Sequence, residues 1–317
     1  MLMKTVLGVD LGGTKILIGE LDMLGNILLE KTYVSDVASQ ERAIQRIIAC
    51  LHDFTSQPMK GEVQAIGIGL VGRVDRKKGR WLEIHPELAQ PIDAAQIIGD
   101  EFGLPCFIGN DVYCASLAEQ TYGMGRISDN FVYLNIGTGL AARCIIDGKI
   151  LEGSHFDAGE IGHVIVDMNH HAACICGSHG CAESLISGSG LHERTVECYE
   201  QYPDSCIQLP ETGRISAQAL FDGYEQGDAL CAAVLHQAMK ALAAVIMNLI
   251  RFCDPEAIVL GGGIGGSAWV SKHLMDYLNP KTIRFITKGI QKTSLDARTI
   301  GLKGSAQLAI QFLSEEE

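Results

Sequence analysis

Apolar residues recur along this chain with two periods. At the N-terminal end, apolar runs at 6–10, 15–21 and 27–33 are separated by Gly12-Gly13-Thr14 and by Met23-Leu24-Gly25-Asn26. That pattern predicts a meander of three short strands. Ala43, Ile44, Ile47, Ile48, Leu51 and Phe54 then recur three and four apart, predicting an amphipathic helix over 40–56. A strand is expected at 63–70, a charged loop at Arg73–Arg80, a helix at 93–102, a strand at 105–109 and a helix at 111–122. Residues 132–151 repeat the opening logic, with Asn135-Ile136-Gly137-Thr138-Gly139 in the place of Asp10-Leu11-Gly12-Gly13-Thr14. A repeated strand–turn–strand unit predicts two domains of like topology. A long helix at 228–252 ends at Asp254-Pro255. A strand at 257–260 and a helix at 301–313 close the chain. The alternation of strands and helices defines an α/β class.

Composition narrows the function. The chain has 317 residues, 47% of them hydrophobic, and a net charge of -13. It can bury a large core, and its acidity argues against binding a nucleic-acid backbone, which needs a basic face. No apolar run is expected to span a membrane, and Met1–Lys4 lacks the layout of a secretory signal. A cytoplasmic, reduced protein is expected, its eleven cysteines mostly packed as small hydrophobes.

Glycine-rich stretches at 12–13, 67–72, 137–139 and 261–266 follow predicted strands. Such turns let backbone N–H groups approach an anion. No Gly-Lys-Ser/Thr completes a Walker A loop. Gly67/Gly69/Gly72 and Gly261/Gly263/Gly266 both fit G-x-G-x-x-G. The first runs into charge rather than a helix, and the second lacks an acidic ribose partner about 20 residues on, so a dinucleotide fold is not expected. Asp10 beside Gly12-Gly13-Thr14-Lys15 suits a hairpin that receives phosphate oxygens while the carboxylate holds Mg²⁺. Cys174, Cys176 and Cys181 offer three soft ligands for zinc, with His163, His170, His171 and His179 as candidates for the fourth. The C-x-C spacing departs from the C-x-x-C of thiol oxidoreductases.

Together, Asp10–Lys15, Asn110-Asp111, Gly137-Thr138-Gly139, Ala158–His163, the cysteine run with Glu183, and Gly261-Gly262-Gly263 resemble the ROK family of bacterial sugar kinases and repressors. The match spans nearly the whole chain in the family's motif order. It implies a duplicated ribonuclease H-like (actin/hexokinase-type) fold with a cleft between domains. The smaller domain would comprise 1–120 plus 300–317, and the larger 121–299 with a zinc knuckle. The resemblance further implies Mg-ATP-dependent phosphorylation of a hexose 6-hydroxyl, with Asp111 as catalytic base. Gly72, Arg73, Asn110, Glu160, His163 and Glu183 would contact the sugar. Asp10, Gly12, Gly13, Thr14, Lys15, Gly137, Thr138, Gly139 and Gly261–Gly263 would serve Mg-ATP. His163, Cys174, Cys176 and Cys181 would hold a structural zinc, and a homodimer or homotetramer is the expected assembly.

Three departures matter. Gly109-Asn110-Asp111-Val112-Tyr113 replaces the more usual Glu-Asn-Asp-Ala-Asn. Leu140-Ala141-Ala142-Arg143 stands where glycines usually continue, placing bulk near the nucleotide site. Gly72-Arg73-Val74 is similar to the N-acetylmannosamine kinase branch, while Asp167-Met168 and Arg284-Phe285-Ile286 are similar to D-allose kinase. Glucose, D-allose and N-acetylhexosamines therefore stay open as substrates. The competing expectations are a sugar-responsive regulator, which would carry a helix-turn-helix ahead of the strand that starts here near residue 5, and a catalytically weak sugar-binding protein.

Overall fold

The computed structural model of the chain describes residues 3–84 and 89–315. It divides into two compact units: Met1–Gly123 with Glu152–Ala158 and Arg298–Glu317, and Met124–Leu151 with Gly159–Ala297. The outermost residues of the expected smaller domain, 1–2 and 316–317, lie outside the described residues.

Unit 1 is built on a five-stranded sheet. Its elements in chain order are β1 Lys4–Leu11, β2 Lys15–Asp22, β3 Ile27–Val34, α1 Gln40–Thr55, β4 Glu62–Leu70, a small hairpin of β5 Arg73–Asp75 and β6 Arg80–Glu83, α2 Ala94–Phe102, β7 Cys106–Asn110 and α3 Asp111–Tyr122. The sheet order is β3-β2-β1-β4-β7, with β1, β4 and β7 parallel. The buried face of α1 (Ala43, Ile44, Ile47, Leu51, Phe54) packs with Leu7, Val9, Ile16, Ile66 and Ile68 of the sheet. Ser39 caps that helix, accepting a hydrogen bond from Arg42 N. The C-terminal helix Ile300–Glu315 covers the other face, where Leu302, Ala306 and Ala309 meet Val6, Leu17 and Leu21.

Unit 2 repeats the plan. It contains β8 Phe131–Ile136, β9 Leu140–Ile146, β10 Lys149–Ile150, α4 Glu183–Ile186, α5 Gly188–Cys198, α6 Ala217–Glu225, α7 Ala229–Cys253, β11 Ala257–Gly261 and β12 Ile290–Lys292. The sheet order is β10-β9-β8-β11-β12, the same as in unit 1 element for element, with β8, β11 and β12 parallel. The duplication expected from the two glycine-turn hairpins is thus present in the strand order itself.

Three expectations are corrected. Arg73–Arg80 was expected to be loop, but its ends form β5 and β6, with Val74 and Trp81 buried. The Arg73 guanidinium holds Glu83 across that hairpin through two bonds of 3.0 and 2.9 Å. Gly67 and Gly69 lie within β4 rather than in a turn. A Cβ on Gly67 would fall 1.8 Å from Ser305 O, so glycine there lets the C-terminal helix approach the strand. Finally, α7 is long and apolar enough to cross a membrane by length and composition, contrary to expectation, but 61% of its most apolar window is buried inside the protein. Leu235, Met239, Leu242, Ile246 and Leu249 make it the central core helix of unit 2. No disulfide joins the cysteines among the described residues.

Candidate functional site

In unit 1 the candidate residues gather at the carboxyl ends of the parallel strands, the usual ligand edge of such sheets. Asp10 near the end of β1 pairs in register with Gly69 of β4, and Asn110 ends β7 opposite Leu70. Asn110 is the N-cap of α3: its Oδ1 accepts from Tyr113 N at 3.0 Å. Its Nδ2 donates to Gly72 O and to Asp111 Oδ1, both at 2.9 Å. Both amide hydrogens therefore serve the protein itself, tying the Gly72 turn to the start of α3. Asp111 Oδ1 also accepts from Val112 N at 2.8 Å, which fixes the carboxylate in place.

Asp10 sits over the start of the C-terminal helix, where a methyl group on Gly301 would lie 2.4 Å from its Oδ2. A helix N-terminus favours the anion. Desolvation and the nearby Asp111 outweigh that, pushing the Asp10 carboxyl up to about 7, while Lys15 acts in the opposite direction. A carboxylate held in this way is poised to ionise when a cation arrives. The adjoining turn is closed by Gly12 N donating to Lys15 O at 2.9 Å, and Gly13, Thr14 and Lys15 are exposed. Arg73, bound to Glu83, also reaches His155 O at 3.5 Å.

In unit 2 four segments converge on the end of β8. Gly137 N donates to Gly139 O at 3.0 Å, closing the second turn. The loop Gly261–Gly263 packs beside Ile136, with the Gly262 Cβ position 2.4 Å from Ile136 O. The start of α5 comes in from another side: Gly188 N donates to Gly137 O at 2.8 Å, and Ser189 Oγ to Thr138 O at 3.0 Å. Sequence reasoning missed Gly188 and Ser189; the small-residue run Ser187-Gly188-Ser189-Gly190 ahead of a helix was the available signal. Glu183 completes the group, its Oε2 accepting from Leu140 N at 2.9 Å. One carboxylate thus links the glycine turn to the cysteine segment.

Glu160 and His163 share a single short turn, in which His163 N donates to Glu160 O at 3.2 Å. The imidazole Nδ1 of His163 lies 3.3 Å from Cys174 Sγ. His163, Cys174 and Cys176 place their ligand atoms within 4.8 Å of one another, and Cys181 Sγ is 3.6 Å from Cys176 Sγ. Of the competing histidines, His170 uses Nδ1 to accept from Ala172 N, and His171 and His179 are exposed. One imidazole and three sulfurs form a donor set suited to tetrahedral zinc. The backbone N–H of Ser178 pulls the Cys176 thiol down. Desolvation, then the Cys176 and Cys174 thiols, push Cys181 up to about 12.

Arg143, behind the second glycine turn in the chain, reaches toward the Glu160 turn. Its side chain is buried, and Nη2 lies 3.8 Å from Glu160 Oε1.

The chain matches the profile described as "ROK family" over residues 6–311. It is 29% identical over 290 residues to a glucokinase of Thermotoga maritima, covering 88% of this chain and 89% of the relative. It is 28% identical over 265 residues to an N-acetylmannosamine kinase of Yersinia pestis, covering 82% and 83%. Among solved structures, a Streptomyces griseus ROK glucokinase in complex with glucose and AMPPNP superposes with a TM-score of 0.76 at 27% identity, covering 97% of this chain and 99% of that one. A ROK family transcriptional regulator, homologous to the E. coli MLC protein, gives 0.83 at 25% identity, covering 98% and 78%. The paired sheets, the glycine turns and the match across nearly the whole length make this chain a member of the ROK family, with the actin/hexokinase-type fold.

Proposed function

We propose that this protein is an ATP-dependent hexose kinase that phosphorylates the 6-hydroxyl of an aldohexose or N-acetylhexosamine. The observation that carries this reading is the pair of electrostatically coupled carboxylates in unit 1, Asp10 and Asp111, one beside a glycine turn and one fixed at the start of a helix. Phosphoryl transfer needs both: a carboxylate to hold a cation against phosphate, and another to take a proton. In this reading Asp111 receives the proton of the sugar hydroxyl as its oxygen bonds to the γ-phosphorus. The bond from that phosphorus to the bridging oxygen breaks, and ADP leaves. Asp10 with Gly12–Lys15, Gly137–Gly139, Gly188, Ser189 and Gly261–Gly263 would hold Mg-ATP, the cation neutralising phosphate charge. Glu160, His163 and Glu183 would take hydrogen bonds from sugar hydroxyls, and Asn110 would keep Gly72 and Asp111 in register. His163, Cys174, Cys176 and Cys181 would hold a zinc ion that stiffens the Glu160–His163 turn. An assembly of two or four copies belongs to the same proposal.

The deciding experiment incubates purified protein with Mg-ATP and D-glucose, D-allose, N-acetylmannosamine or N-acetylglucosamine, and measures ADP. Release above the sugar-free background for at least one sugar is expected. Sugar binding with no release across the panel would instead favour the regulator or binding-protein reading, which the likeness to the MLC-type regulator supports. Elemental analysis should find about one zinc per chain, lost in Cys176→Ser. Light scattering tests the assembly.

A further inference from the structure

Arg143 lies on β9 with 4% of its side chain exposed. Burying a guanidinium is costly unless it is paired and hydrogen-bonded. Its Nη1 donates to Ala142 O at 3.3 Å, and its Nη2 lies 3.8 Å from Glu160 Oε1. The Glu160 side chain is 38% exposed, so this carboxylate is both paired from below and open to a ligand. The turn carrying it is pinned to the same strand, since Ala142 N donates to Gly159 O at 2.8 Å. Gly159 has φ +98, and a methyl group on it would fall 1.9 Å from Ala142 O and 2.4 Å from Arg143 Nη1. The turn backbone thus rides directly on the guanidinium, and only glycine permits that approach. At its other end the same turn is anchored where His163 meets Cys174.

We propose that Arg143 is a positioning residue for sugar: it holds Glu160 as an oriented acceptor and so sets affinity for neutral sugars that present an O–H or N–H to it. This rests on the sugar-kinase reading of the same turn. A glycine at 143 would remove this counter-charge from Glu160. Fixing an acceptor before binding removes part of the ordering cost that a ligand otherwise meets. Because the guanidinium pairs with Glu160, the effect is expected on sugar rather than on nucleotide.

The test is calorimetric titration of the four sugars above and of Mg-ADP into wild type, Arg143→Gln, Arg143→Lys, Glu160→Gln and the Arg143→Gln/Glu160→Gln double variant. Arg143→Gln should weaken sugar binding by about tenfold to a hundredfold, the range typical of removing a group that orients a ligand-binding residue. Arg143→Lys should fall between that variant and wild type, since lysine keeps the charge but loses the planar fork. Mg-ADP affinity should stay within about twofold. In the Glu160→Gln background the further loss from Arg143→Gln should shrink to less than about threefold, because the two residues act as one unit. Sugar affinity unchanged in Arg143→Gln, an equal loss in both backgrounds, or an equal loss of Mg-ADP overturns the proposal while leaving the kinase reading intact. Wild type that binds Mg-ADP and none of the sugars overturns both. Should Arg143→Gln fail to fold, Arg143→Lys against wild type carries the test: sugar affinity reduced with Mg-ADP retained supports it, and no change sinks it.

Discussion

The two sheets share one strand order and differ in charge where it matters. In unit 1, Asp10 of β1 pairs with Gly69 of β4; in unit 2 the equivalent residue of β8 is Asn135, paired with Gly261 of β11. The helix that follows β7 adds Asn110-Asp111 to that edge, whereas β11 runs on into Gly262-Gly263. At equivalent points of one strand order, unit 1 thus carries the acid Asp10 and unit 2 the neutral Asn135, while the carboxylate beside the second turn, Glu183, is bonded to Leu140 N. A carboxylate at 135 would repel a phosphate, while an amide and bare backbone N–H groups receive it. On the kinase reading proposed above, duplication supplied two equivalent scaffolds, and single residues at equivalent points would give one the work of cation and proton and the other the work of receiving anions.

That asymmetry can be broken from either side. Asp111→Asn should have the largest effect, lowering turnover by about 10²–10⁴-fold, with sugar affinity by calorimetry retained. Equal loss of sugar affinity would show Asp111 to be a structural cap instead. Asn135→Asp gives unit 2 the acid of unit 1, and should weaken Mg-ATP binding about tenfold, as one added charge near phosphate requires at high effective dielectric; unchanged nucleotide affinity would remove Asn135 from the comparison. Gly137→Ala is a gentler probe. A Cβ there meets nothing within 4 Å, so chemical denaturation should show stability changed by less than about 0.5 kcal/mol while the KM for ATP rises. An unaltered KM would mean that phosphate does not approach this turn closely.

The smallest effect is one of pH. The Asp10 carboxyl is raised from its ordinary 3.8 to about 7 in the folded chain, so the native state binds that proton more tightly than the unfolded one. Its contribution to stability is full below about pH 4 and is lost as pH rises through 7. Metal-free wild type should lose about 2–4 °C of Tm relative to Asp10→Asn between pH 5 and 8. Mg²⁺ with nucleotide should narrow that gap, and parallel Tm curves for the two proteins would place Asp10 outside the desolvated site.

Much of this architecture was legible from the chain. The three-strand meanders, α1 and α7 follow from spacing that is local and strongly periodic, and the second meander's likeness to the first foretold the duplicated sheet. The hairpin of β5 and β6 was not legible, because it depends on an Arg73–Glu83 pair ten residues apart and on burial of Trp81. Gly67 and Gly69 looked like turn glycines because sequence does not reveal that a helix 238 residues further on presses its backbone against the strand. Gly188 and Ser189 were overlooked for a similar reason: nothing in their spacing tells that they reach Gly137 and Thr138.

The sequence by itself determined the family, the class of ligands to expect and the residue types at each turn, since those rest on short motifs whose chemistry is carried by neighbours in the chain. Only the tertiary structure decided which histidine joins the cysteines, how Asn110 is spent, and where Arg143 points. Those are matters of direction across packed elements, and a strand's alternation gives a side chain a face without saying which partner waits there. Arg143 is the clearest case: in the chain it follows a phosphate-type turn by four residues, and in the fold it lies under Glu160.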